Sequence, residues 1–324
     1  MNAIIVLVGI FATPSCWWQA LAMPGCSGKV TLHVVDDEGT SVDGAHVATH
    51  FSPHDALGEK LTDTDGKVSF SGNPIFGDMS YSISKEGYYT TTDRYYFDSV
   101  PGACQKLGRW CPWNAIHTVV LKRRLNPIER AGHSEAWRPI SGDCPASGQW
   151  FGYDFLIGDW TPPQGKGQTP DISFCFIPGE EASKTVSTSY GPMEIRETPC
   201  RLLMRFIGRG NGYIRETKDV WSHFWFDYTA PSDGYEHELS LRVGETENFH
   251  LVGPDFGERD YLIVRIRTQF GEKGEIEHAR YGILSGPIRS NWSGKGWLGE
   301  MKYWLNPSDN DPNLEQDNLM RFSM

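Results

Sequence analysis

From Lys29 onward the chain is cut into short runs in which apolar and polar residues alternate, and Gly, Pro, Asn or Asp closes almost every run. Successive side chains on a strand point to opposite faces, so a period of two builds sheets and denies long helices an apolar stripe. Val30, Leu32 and Val34 fall on one face of a first strand. Asp36-Asp37-Glu38-Gly39 turns the chain, and residues 44–51 form a second extended run. Thr64-Asp65-Gly66 makes a tight turn before Lys67-Val68-Ser69-Phe70, and residues 79–85 follow as a further strand. Residues 115–122 alternate Ala115, His117, Val119 and Leu121 with Ile116, Thr118 and Val120, a pattern that suits cover on both faces.

These runs make one compact β-sandwich over residues 23–125. Residues 126–148 lose the period and hold Asn126-Pro127, Arg138-Pro139 and Cys144-Pro145, as a surface connector does. Strand-like runs resume at 171–177, 201–207, 224–228, 249–252, 261–268, 279–284 and 302–305. The expectation is therefore an all-β chain, with a second and larger sandwich or jelly-roll-like domain over 149–324. With 30 Lys+Arg against 41 Asp+Glu and no cationic block longer than Lys122-Arg123-Arg124, nucleic acid is excluded as the main partner.

Residues 1–22 carry no charged side chain, and their apolar run from Ile4 to Ala12 is too short to span a bilayer. Ala20-Leu21-Ala22 has the small-x-small form of a signal-peptidase site, so residues 1–22 read as a signal peptide and the product as secreted, periplasmic or cell-surface. No later run reaches the ~20 apolar residues of a membrane helix. Cleavage would remove Cys16 and leave Cys26, Cys104, Cys111, Cys144, Cys175 and Cys200 as disulfide candidates, with 15 possible connectivities. Cys104 and Cys111 are the easiest local pair.

The order Gly28-Lys29-Val30, Asp37-Glu38-Gly39, Val42-Asp43-Gly44-Ala45-His46-Val47, Thr62 through Phe70 and Tyr81-Ser82-Ile83-Ser84-Lys85-Glu86-Gly87-Tyr88 resembles the carboxypeptidase regulatory-like domain, a transthyretin-type or prealbumin-like β-sandwich. Ser41 stands where that family usually has Pro. The resemblance covers about residues 28–122 and implies an accessory fold of exported or surface proteins, without catalytic residues or cofactor. Tyr153 through Trp160, Gly165-Lys166-Gly167 and Tyr303-Trp304-Leu305-Asn306-Pro307 make the second half similar to uncharacterised secreted bacterial proteins, which implies no activity.

Asp63-Thr64-Asp65-Gly66 places carboxylates as a calcium loop does, but lacks the distal Glu and reads as a hairpin turn. His46, His50 and His54 recur every four residues, yet along a strand His46 and His50 stand about 13 Å apart, too far for one metal. No Gly-x-Ser-x-Gly elbow, His-Glu-x-x-His pair or complete phosphate-binding loop occurs. The enriched feature is aromatic: Trp110, Trp113, Trp221, Trp225 and Tyr228 lie in clusters beside turn-forming or polar residues, and flat rings among polar groups hold sugars. The reading is a non-catalytic surface or binding protein whose ligand is a glycan or another surface protein. Its rival is a polysaccharide hydrolase using acids of the second domain, such as Asp227 with Asp233 or Glu236 with Glu238.

Overall fold

The computed structural model describes residues 26–52, 57–128, 137–143, 147–179, 182–188, 191–197, 200–217, 222–243, 246–247, 250–251, 255–292 and 296–316. The expected signal peptide, His54, Cys144 and Trp221 lie outside these residues. The fold is all-β: every regular element among the described residues is a strand, and no helix is long and apolar enough to cross a membrane. The chain forms two compact units, Met1–Leu125 with Val220–Trp225, and Asn126–Asp219 with Phe226–Met324.

The first unit is built from β1 (Gly28–Val35), β2 (His46–His50), β3 (Gly58–Leu61), β4 (Lys67–Gly72), β5 (Asp78–Ser84), β6 (Thr91–Tyr96), β7 (Cys104–Lys106), β8 (Arg109–Cys111) and β9 (Ala115–Val120). One sheet runs β4-β1-β9, with β9 returning parallel to β1, and the other runs β3-β2-β5-β6. Their inner faces share one core, to which β1 gives Val30, Leu32 and Val34, β2 gives Val47, β5 gives Met79, Tyr81 and Ile83, and β9 gives Val119. This is the sandwich that the period of two requires. On β9 only one face is covered, because Ile116 is 65% exposed at the sheet edge.

Glycine decides the packing at one end. Gly28 and Gly72 are cross-strand partners, and a Cβ on either would stand 2.6 or 2.5 Å from the rings of Phe97 and Phe51. The bare pair opens a slot in which Phe51 and Phe97 lie with centroids 6.2 Å apart, and Trp110 continues the row 6.1 Å from Phe97.

The second unit comprises β10 (Arg138–Asp143), β11 (Trp150–Asp154), β12 (Asp159–Trp160), β13 (Ile172–Pro178), β14 (Ala182–Thr188), β15 (Gly191–Glu197), β16 (Cys200–Phe206), β17 (Gly212–Thr217), β18 (Glu238–Val243), β19 (Thr246–Glu247), β20 (His250–Leu251), β21 (Asp260–Phe270), β22 (Ile276–Ser285), β23 (Arg289–Trp292) and β24 (Gly296–Leu305). A sheet β10-β24-β22-β21-β17, with β23 beside β24, and a sheet β12-β11-β13-β16-β18 contribute to one core, from Phe151, Phe174 and Met204 to Val264, Leu284 and Tyr303. Two stretches differ from their expected form. Residues 138–143, placed in a surface connector, are an edge strand with Ile140 fully buried. Residues 224–228 are not a strand: Phe224, Trp225 and Phe226 are all buried, whereas a strand would turn successive side chains to opposite faces.

Inside the second unit, Arg267 bridges two buried carboxylates. Its Nε donates to Asp171 Oδ1 at 2.5 Å and its Nη2 to Asp154 Oδ1 at 3.1 Å. Asp154 also accepts the backbone N–H groups of Leu156, Ile157, Gln168 and Thr169, so this carboxylate organises the loops on either side of β12.

Candidate functional site

A polar concavity of the first unit lies on the outer face of the four-stranded sheet. Because Met79, Tyr81 and Ile83 turn into the core, their alternates Asp78, Ser80, Ser82 and Ser84 turn out. On β6 Tyr95 is buried, which leaves Arg94 and Tyr96 outward. Register then aligns three strands: His50 stands opposite Ser80 and Ser80 opposite Arg94. His50, Phe51, Ser52, Phe76, Asp78, Ser80 and Arg94 line a cleft of about 280 Å³.

Arg94 Nη1 donates to Asp78 Oδ2 at 3.2 Å, with the Asp78 side chain only 14% exposed. This pair presents a fixed cation beside its acceptor. Phe76, 76% exposed, supplies an uncovered ring at the cleft wall, and Tyr96, opposite Asp78, is 49% exposed. The floor is Phe51, held by the Gly28–Gly72 slot. Behind Phe76, Trp110 packs within 3.6 Å of the position a Cβ on Gly77 would take, and its Nε1 is buried without a hydrogen-bond partner among the described residues. The cleft offers an apolar face, donors and acceptors, which is recognition chemistry.

The aromatic residues singled out by sequence differ in exposure. Trp110 and Trp225 are buried at 9% and 6% exposure, in a core and in an irregular segment, and their rings are not offered to solvent. Trp113 is 41% exposed, with the Arg109 guanidinium 4.8 Å from its ring centroid. Tyr228 is half-buried, and its carbonyl accepts the Leu314 N–H. Sequence reasoning passed over Phe76, Tyr96 and the row from His50 to Arg94. The signal for them was the outward half of each alternating run, but register alone makes those halves neighbours.

Three of the four acids proposed for hydrolysis have separate side-chain partners. Asp227 accepts the Tyr261 hydroxyl at 3.0 Å, Glu236 the Tyr213 hydroxyl at 2.9 Å, and Glu238 the Arg205 Nε at 2.8 Å. Burial first, then the Asp227 charge, pushes Tyr261 up, so it remains a donor. Asp63 Oδ1 is engaged by the Asp65 and Lys67 N–H groups of its own turn, at 3.0 and 2.8 Å. His46 faces Glu59 at 3.6 Å. Cys26, Cys104, Cys111 and Cys175 are free thiols, and Cys200 opens β16.

No family model and no curated protein matches the chain. Solved structures similar to it include a 3-chlorocatechol 1,2-dioxygenase from Rhodococcus opacus 1CP, 14% identical over 31% of this chain and 61% of that one, with TM-score 0.24. A streptococcal ancillary pilin is 12% identical over 71% of this chain and 62% of that chain, with TM-score 0.21. The major pilin subunit of Bacillus cereus is 11% identical over 90% and 97%, with TM-score 0.23. The chain spans about three fifths of the length of the dioxygenase. At such TM-scores the likeness carries no information about activity.

Proposed function

We propose that this chain is an exported, non-catalytic surface protein with a first unit, residues 23–125, of the carboxypeptidase regulatory-like kind, and that the outer face of β2, β5 and β6 binds carbohydrate. The observation that carries the reading is the cleft itself: an exposed Phe76 ring beside the aligned His50, Ser80 and Arg94, with Asp78 as acceptor. Strands about 4.8 Å apart make this row roughly 10 Å long, which suits two linked sugar rings. A sugar presents an apolar face to a ring and hydroxyls at its edge, and the cleft pairs with both. The role assigned from sequence to Trp113 and Tyr228 is a weaker form of the same reading, since neither is among the residues that line this cleft.

A glycan array with the full chain tests it. Binding should fall about tenfold in Phe76→Ala and Arg94→Ala variants that keep the wild-type far-ultraviolet spectrum, since each removes about 1 to 2 kcal/mol of contact. Trp113→Ala should bind as the wild type does. Absence of binding to every glycan, or binding unchanged in both cleft variants, defeats the assignment.

A further inference from the structure

β7 and β8 form a tight hairpin whose tip is Leu107-Gly108, both at positive φ (50° and 71°), the backbone that a two-residue turn between twisted strands requires. Register pairs Lys106 with Arg109, Gln105 with Trp110 and Cys104 with Cys111. Alternation then sorts the two faces. Trp110 turns into the core, so the directly opposed Cys104 and Cys111 share the other face, where both are half-buried.

Directly opposed residues of antiparallel strands have Cα atoms about 4.5 to 5.5 Å apart, inside the range a disulfide spans. The other described thiols have different surroundings: Cys26 is buried and donates to Gln105 Oε1 at 3.5 Å, and Cys175 is buried on β13 between Trp150 and Leu203.

We infer that Cys104 and Cys111 are an oxidisable pair that closes the β7–β8 hairpin with a disulfide. The oxidant is another disulfide, such as oxidised glutathione. One protein thiolate attacks a glutathione sulfur and releases the first glutathione thiolate. The second protein thiolate attacks the mixed disulfide and releases the other glutathione. Two protein thiols are oxidised, one glutathione disulfide is reduced to two thiols, and the protons end on the glutathiones.

The clasp bears on the rest of the first unit. The hairpin is tied to the residue before β1 by Ser27 N to Gly108 O at 2.8 Å and Trp110 N to Ser27 O at 2.9 Å. It carries Trp110, which lies against Gly77 next to the cleft residue Phe76. Closing it holds that support in place.

The full chain is equilibrated in glutathione buffers from fully reducing to fully oxidising, quenched with an alkylating reagent and mapped by peptide mass. The expected result is a linked Cys104–Cys111 peptide that grows with oxidation and two alkylated cysteines under reduction. In Cys104→Ser and in Cys111→Ser, the remaining partner should alkylate even under oxidising conditions. Alkylation of both cysteines at every potential overturns the inference, and so does either one linking to a different cysteine. Circular dichroism of the single variants keeps misfolding from imitating the result.

Discussion

At the scale of single residues, the sharpest constraint is the pair of carboxylates held by Arg267. Burial pushes the Asp154 carboxyl up, but the N–H groups of Thr169, Ile157 and Gln168 and the Arg267 charge outweigh it, and it ends below its ordinary 3.8. At Asp171 burial prevails over the Arg267 and Phe155 donors, and the carboxyl ends above 3.8. The two contributions to stability therefore have opposite signs. A depressed carboxyl stabilises the fold above its unfolded value, and the benefit is lost as pH falls through the folded value. A raised one favours the fold at low pH and loses that benefit as pH rises through its folded value. Between about pH 5 and pH 2, Asp154→Asn should flatten the acid loss of stability relative to the wild type, and Asp171→Asn should steepen it. Urea midpoints measured across this range check both slopes, and identical slopes in the two variants would contradict the assignment.

At the scale of elements, the turn before β4 shows what was legible. Asp63-Thr64-Asp65-Gly66 reads as a hairpin turn from residue types alone, and Gly66 sits at φ +70° with its N–H on the Asp63 carbonyl at 2.8 Å. A Cβ there would stand 2.4 Å from the Val34 carbonyl oxygen, so strain and clash act together. Gly66→Ala should cost about 1 to 3 kcal/mol, read as a shift in denaturant midpoint at unchanged slope. The strands near 172, 261 and 279 were equally legible, but as apolar runs: β21 is buried at every residue from Tyr261 to Ile266 and β22 from Tyr281 to Ser285, so both faces of these strands are covered there. The β14–β15 hairpin was not, since Ala-Ser-Lys-Thr-Val-Ser-Thr has no apolar half to reveal a period. Residues 224–228 misled in the opposite way, their density of rings reflecting burial. The cleft fell between these cases: its residues belong to correctly read strands, but the pairing of His50 with Ser80 and of Ser80 with Arg94 depends on register, which one strand's sequence does not contain.

At the scale of the whole molecule, two separate cores predict separate unfolding. Each unit buries its own apolar cluster from two sheets, the condition for a domain to melt as its own cooperative transition. The devices that hold them differ in chemistry. In the first unit the proposed Cys104–Cys111 clasp would be worth about 2 to 3 kcal/mol by loop entropy when closed. The second carries the Arg267 bridge, whose removal leaves two buried carboxylates without their cation at a cost of about 3 to 5 kcal/mol. Scanning calorimetry of the oxidised chain should therefore resolve two transitions. Added reductant should lower one midpoint by several degrees and leave the other in place, while Arg267→Ala should lower the other by roughly 10 °C. In the doubly perturbed protein the two shifts should add, because the sites belong to different cores. A single transition moved by either perturbation would mean that the chain melts as one body, and the clasp and the bridge would then have to be treated as parts of one cooperative structure.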